Sequence, residues 1–244
     1  MWRAASIAVF FLVWEIAGRV PISFAFPTFL ETAKALWGMV VDGSLVAAYA
    51  ETLQPLVIGI VVSASIGIAL GVVMGLSRFA EWLVAPVFIV LQAAPMAALI
   101  PLITFVYGIG LLAKTLAVIM LALPVIALNG YKAVRNANPS LVAMCRSFQG
   151  NWHQRIFKII IPDASPVIFA GLRLGLAAGF IGVILAELLI TPTGIGDLIT
   201  YHRSVANYAE MYAAVVSIIL VSTLTLAALE AFELRVLRPE KRKS

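Results

Sequence analysis

The chain has 244 residues, of which 62% are hydrophobic and only 12% charged, and its mean hydropathy is +1.04. A soluble domain carries roughly a quarter charged residues, so too few polar side chains remain to wet a 26.2 kDa globule, and a soluble fold is excluded. The formal charge of +5 does not indicate nucleic acid, because Lys and Arg lie between hydrophobic runs and at the C-terminus rather than on an aromatic-studded patch. The single cysteine, Cys145, excludes an intrachain disulfide.

Met1-Trp2-Arg3 and the apolar run behind them have the look of a signal peptide, but no small-residue cleavage site follows. Residues 4–17 are therefore predicted as a first helix. Five further apolar runs cover residues 52–76, 82–107, 111–131, 166–190 and 211–232. A spanning helix needs about 20 apolar residues, whereas barrel strands would be near 10 residues with alternating polarity. The expectation is an all-α polytopic membrane protein with six transmembrane helices in one transmembrane domain over residues 1–244.

Charge orients these spans. With a cytoplasmic N-terminus, the inner segments hold Arg3, Arg78, Lys132, Arg135, Arg146, Arg155, Lys158, Arg235, Arg238, Lys241, Arg242 and Lys243. The outer segments hold only Arg19, Lys34, Lys114 and Arg203. This positive-inside bias predicts that both termini are cytoplasmic.

Small residues recur every fourth position. Gly59, Ser63, Gly67, Gly71 and Gly75 do so in the second run, and Gly171, Gly175 and Gly179 in the fifth. Such grooves let another backbone approach closely. They are read as helix-packing faces, with a pore-lining or sliding surface as the alternative. In the third run, Pro95 and Pro101 each remove a backbone donor and clash one turn back. The helix is predicted to bend or break there, and freed carbonyls are tolerated only against protein or a water-filled cavity. Pro95, Met96, Leu99 and Pro101 are therefore candidates for a translocation path.

Residues 132–163 form the longest inner segment. Asn138 is a good N-cap and Pro139 suits the first helical position. Leu141, Met144, Cys145 and Phe148 then recur at helical spacing on one face, with Arg146 off the stripe. Gln149-Gly150-Asn151 reads as a turn, and residues 152–161 as a second amphipathic stretch that leads to Pro162, which marks the entry to the next span. An apolar face at the cytoplasmic surface needs lipid headgroups or a partner groove to cover it.

With these elements in place, the chain resembles the transmembrane permease of a type I ABC importer, of MetI-like architecture. It is most similar to the taurine, aliphatic sulfonate and nitrate group, which also includes permeases for thiamine-pyrimidine precursors. The resemblance is carried by Gly71-Val72-Val73-Met74-Gly75-Leu76-Ser77-Arg78, Ala98-Leu99-Ile100-Pro101-Leu102, Tyr107-Gly108-Ile109-Gly110, Ile168-Phe169-Ala170-Gly171-Leu172-Arg173-Leu174 and Ala186-Glu187-Leu188-Leu189. The order and spacing of these strings make the resemblance specific. The family's loop signature opens Glu-Ala-Ala, has a Gly four residues after the second Ala, and ends Leu-Pro. Counted back from Ile161-Pro162, the trio falls on Ala143-Met144-Cys145 and the Gly on Gln149, so the acidic residue and that glycine are absent; Pro55 stands where the family usually has Arg.

The resemblance implies that Leu141, Met144, Cys145, Arg146, Phe148, Gln149 and Gly150 contact a cytoplasmic ATPase. It implies two such ATPase subunits, a second permease copy (identical or related), and a periplasmic or lipid-anchored substrate-binding protein. The location would be the inner membrane and the cargo a small anionic or heterocyclic solute. The chain has no phosphate-cradling Gly-rich loop with Lys and Ser or Thr, so ATP and Mg are expected on the partners and no cofactor on this chain.

Three other classes compete. An ion-coupled secondary transporter would want ionisable groups at the bilayer midplane. Glu187 lies about 30 Å along a helix starting near Pro166, at its outer end, and Arg173 about 10 Å along, within snorkelling reach of the inner surface. An intramembrane enzyme or metal site is rejected, since His153 and His202 are the only histidines and lie outside the spans. A permease-like scaffold with impaired coupling is the third. Finally, Lys114 opposes the positive end of its helix dipole, and Glu187 is misplaced near the end of its own. The two are predicted to pair as a latch at the outer mouth that breaks when the binding protein docks, and a double charge swap is predicted to restore function.

Overall fold

Backbone in lipid must satisfy its own hydrogen bonds, which long apolar runs do as helices. The computed structural model describes residues 2–20, 25–190 and 192–237, and these contain helices and no strand. Met1 and the cations Arg238, Lys241, Arg242 and Lys243 lie outside the described residues.

The helices are α1 (Trp2–Arg19), α2 (Phe29–Val41), α3 (Ser44–Leu76), α4 (Arg78–Ala93), α5 (Met96–Tyr107) and α6 (Leu111–Arg135), followed by α7 (Pro139–Ser147), α8 (Trp152–Gln154), a π-helical turn over Arg155–Ile160, α9 (Ile161–Leu189), α10 (Ile195–Ser204) and α11 (Tyr208–Leu237). Four described helical segments are long and apolar enough to cross a membrane: Ser44–Leu76, Leu111–Arg135, Trp152–Leu189 and Tyr208–Arg235. The bent pair Arg78–Ala93 and Met96–Tyr107 makes a fifth if it is one span. The first predicted span is an 18-residue helix, but it carries Arg3, Glu15 and Arg19.

The core is built around α6, the most deeply buried of the long helices. It lies between α3 and α9, each of which turns its row of glycines toward it. On the α3 side, a Cβ on Gly67 would lie 3.0 Å from the Ile126 side chain, and one on Gly71 2.8 Å from the Ala127 carbonyl oxygen and 3.0 Å from Gly130 Cα. Gly75 faces Val134. On the α9 side, Gly171 meets Asn129, Gly175 meets Ile126, and Gly179 meets Val118 of α6 and Ile60 of α3. Lipid offers no hydrophobic drive between helices, so this close approach is the cohesive contact.

One feature differs from the sequence reading. The third run does break, by 101°, but only at Ala94-Pro95. Ala94, preceding a proline, is extended at φ −67°, ψ 136°, whereas α5 continues through Pro101. Pro162 lies in the first turn of α9, as expected for the entry to that span. Residues 152–189 run on as one 38-residue helix, and the widened π turn, with Ile161 N–H donating to Ile156 O, gives the Pro162 ring room against the preceding turn.

The N-terminal helices were only partly legible. Thr28 and Glu31 form a reciprocal capping box at the start of α2, with Glu31 N–H to Thr28 Oγ1 at 3.2 Å and Thr28 N–H to Glu31 Oε2 at 2.9 Å. Glu15 pairs with Arg19 at 2.8 Å and accepts the Leu30 N–H at 3.0 Å, which ties α1 to α2. Arg173, expected to snorkel, instead faces two carboxylates of α11, Glu230 at 3.5 Å and Glu233 at 3.4 Å.

Because Gly71 meets backbone rather than a movable side chain, Gly71→Ala is expected to destabilise the permease by about 1–3 kcal/mol. Gly38→Ala on α2, where a Cβ meets nothing within 4 Å, is expected to be neutral or slightly stabilising. Thermal unfolding of the two variants in detergent checks both.

Candidate functional site

Two regions gather the sequence-derived candidates at opposite ends of α9. At its beginning sits α7. Asn138 caps it by accepting the Ser140 N–H at 2.9 Å, and the Asn138 N–H donates to Asp163 Oδ2 at 2.7 Å, which fixes the helix to the start of α9. Val142 packs against the cluster formed by Ala133, Val134, Ile156, Ile160, Ala164 and Ile168. The opposite face carries Met144, 47% exposed, and Phe148, 81% exposed. Arg146 and Gln149 are exposed beside them and Leu141 is half-buried. Cys145, like Leu141, is half-buried, and its carbonyl accepts the Gly150 N–H at 2.8 Å.

The end of α7 is a Schellman turn. Gly150 N–H reaches Cys145 O at 2.8 Å and Gln149 N–H reaches Arg146 O at 2.9 Å, with Gln149 left-handed at φ 56°. Gln149 thus occupies the position where the loop signature has glycine, and holds the conformation for which glycine is suited. Gly150 is needed for space, since a Cβ there would lie 2.5 Å from Cys145 Sγ.

At the far end of α9, Lys114 and Glu187 form a buried ion pair with Nζ 2.9 Å from Oε1 and side-chain exposures of 3% and 0%. Lys114 also donates to Thr193 O at 3.2 Å and Thr193 Oγ1 at 2.8 Å, so its three donors all have acceptors. The Thr52 hydroxyl lies 2.9 and 3.0 Å from the two Glu187 oxygens and accepts the Ile195 N–H at 3.0 Å. Gly196 N–H donates to Glu187 Oε2 at 3.0 Å. Thr52, Thr193, Gly194, Ile195 and Gly196 were missed by sequence reasoning. The available signal was the Gly194-Ile195-Gly196 string shortly after Glu187.

The bent pair α4–α5 places the remaining candidates unevenly. Met96 is buried and Leu99 half-buried, while Pro95 and Pro101 are exposed. Ile100, not singled out from sequence, packs with Ala117 and Ala186. Among the described residues no cluster of His, Cys, Asp or Glu could hold a metal ion.

Three outcomes follow from these geometries. Gln149→Gly removes a left-handed non-glycine residue and is expected to stabilise the end of α7 by about 1 kcal/mol, read as slower amide exchange over residues 139–150. Lys114→Met leaves a buried carboxylate without its cation and is expected to cost about 3–5 kcal/mol, read in thermal unfolding. The double swap Lys114→Glu with Glu187→Lys is expected to be no better than the worse single change, contrary to the expectation from sequence. A lysine at 187 would face the Gly196 N–H, and a glutamate at 114 the Thr193 carbonyl, and a transport assay of the three variants decides between the two expectations.

The chain is similar to the putative aliphatic sulfonates transport permease SsuC of Bacillus subtilis strain 168, with 25% identity over 95% of this chain and 84% of the relative. It is 31% identical to the SsuC of Escherichia coli K12 over 87% of this chain and 80% of that protein. It is 26% identical to the nitrate import permease NrtB of Synechocystis sp. strain PCC 6803, covering 89% of this chain and 84% of the relative. Among solved structures, a chain of the inward-facing MetNI methionine ABC transporter shares its fold, with a TM-score of 0.66 at 20% identity over 80% of this chain and 96% of that one. The model of the binding-protein-dependent transport system inner membrane components matches residues 65–238, so the chain belongs to that family: it is the inner-membrane permease component of an ABC importer, a transport subunit that works with ATPase and substrate-binding partners.

Proposed function

We propose that this permease takes its drive from cytoplasmic ATPase subunits through α7, with both termini on the cytoplasmic side. The observation that carries this reading is the outward apolar face of α7. Met144 and Phe148 stand exposed on a helix held by the Asn138–Asp163 hydrogen bond, by Val142 packing and by the Schellman turn. A helix so fixed abuts the π turn over Arg155–Ile160 and can transmit a push through it into α9. Exposed Trp152 and Phe157 extend the apolar surface, and Arg146, beside it, offers a cation to an acidic rim.

Two ATPase subunits would each grip one such helix on two permease copies, identical or related. The path between the copies would involve α4–α5, whose break at Ala94-Pro95 frees backbone groups, with Met96 and Leu99 beside it, and parts of α3 and α9. The cargo is a small anionic or heterocyclic solute, supplied by a periplasmic or lipid-anchored binding protein. The sulfonate and nitrate permeases among the relatives support the anionic class.

Replacing Met144 and Phe148 together by Asp would bury charge at an ATPase contact. The permease is expected to insert normally while recovery of the copurifying ATPase falls to background. Unchanged recovery would assign the face of α7 to lipid headgroups instead. For the path, cysteines at Met96 and Leu99 in a Cys145→Ser background are expected to react with a water-soluble thiol reagent at rates that change with nucleotide; uniform protection of both would mean that the break is only architectural.

A further inference from the structure

The first N–H groups of a helix have no partner within the helix and normally bond to water or to a capping side chain. In α10 both leading amides are instead held by side chains from distant parts of the chain. Ile195 N–H is taken by Thr52 of α3 and Gly196 N–H by Glu187 of α9. Gly194 and Gly196 bring this backbone onto the carboxylate, and a Cβ at either position would collide with Glu187. Lys114 of α6 completes the group by holding Glu187 and the Thr193 carbonyl and hydroxyl. One carboxylate and one ammonium thus join α3, α6, α9 and α10.

A latch has to open, and opening this group would strand Glu187 and Lys114, both almost fully buried, without partners. Every donor of Lys114 is used, and although Lys114 and Thr193 border a cavity of about 270 Å³, Glu187 does not line it. A network satisfied in this way rigidifies, and partial loss is costlier than either complete state.

We propose that Thr52, Lys114 and Glu187 are positioning residues that staple α10 and its leading turn to α3, α6 and α9 throughout the transport cycle. This end of the core then moves as one body, and any opening there is carried by the α4–α5 pair at its break. The inference rests on the chain being a transport permease and deepens the reading of the Lys114–Glu187 pair, independently of membrane orientation and of what α7 contacts.

The test is hydrogen exchange by mass spectrometry on the unsubstituted permease in its complete reconstituted transporter: nucleotide-free, trapped with a non-hydrolysable ATP analogue, and turning over. Amides of Ile195 and Gly196 are expected to exchange at least about a hundredfold slower than free-peptide rates in all three conditions. Either amide approaching the free-peptide rate in any condition would overturn the proposal. Thr52→Val, which removes the acceptor at similar shape, is expected to speed Ile195 exchange at least about tenfold, whereas Thr52→Ser, which keeps the hydroxyl, leaves it within about threefold. An unchanged Ile195 rate in Thr52→Val would overturn the role of Thr52. If Thr52→Val does not fold, the three conditions on the unsubstituted protein still decide. ATP-driven uptake measured on the same preparation reports separately on the permease reading, so its failure is distinguishable from loss of protection.

Discussion

The contact on which the rest of the structure depends is the close approach of α6 to the glycine faces of α3 and α9. Lipid does not press helices together as water does, so cohesion must come from dispersion between surfaces that fit and from polar groups that find one another. Gly71 and Gly130 let α3 and α6 meet backbone to backbone, and Gly175 admits Ile126 from the other side. This contact also sets the register of α6. Its first turn brings Lys114 to Glu187, and its last brings Tyr131 and Arg135 to Glu81, at 2.6 and 3.2 Å. A shift of one residue along the glycine rows would separate both sets.

The two ends of α9 then differ in kind. At the α10 end, Thr52, Lys114 and Glu187 are buried with their polar groups paired to one another and to the start of α10, beside a cavity of about 270 Å³. At the α7 end, polar groups anchor a short helix from beneath, while its apolar residues face outward. Packing inside one chain would ordinarily hide Phe148, and its 81% exposure is what calls for a partner. The Arg173 pairing with Glu230 and Glu233 fastens α11 to α9 near the middle of the long helix. The break at Ala94 leaves α4 and α5 as two shorter helices that pack separately, α4 through Ala85 and Phe88 and α5 through Ile100.

Much of this was legible because it is local. Apolar run length marked the long helices, the Asn138-Pro139 pair marked the start of α7, and the four-residue glycine spacing marked the packing faces. The charges of Lys114 and Glu187 stood out because each opposes its helix dipole. What escaped depends on tertiary neighbours. No local pattern says that the Thr52 hydroxyl meets a carboxylate 135 residues away, or that Arg173 has acidic partners on α11. The Thr28–Glu31 box at α2 was readable, but hydropathy favours long runs over a 13-residue helix. Pro101 was over-read, since a proline weakens a helix without ending it when packing absorbs its ring.

Coupling through α7 is most directly measured by placing a photoreactive phenylalanine analogue at position 148 and irradiating the assembled transporter in native membranes. The predicted product is a covalent adduct between this chain and a cytoplasmic ATPase subunit, with a yield that changes when nucleotide is added. Adducts confined to lipid, with none to an ATPase in any nucleotide state, would contradict it.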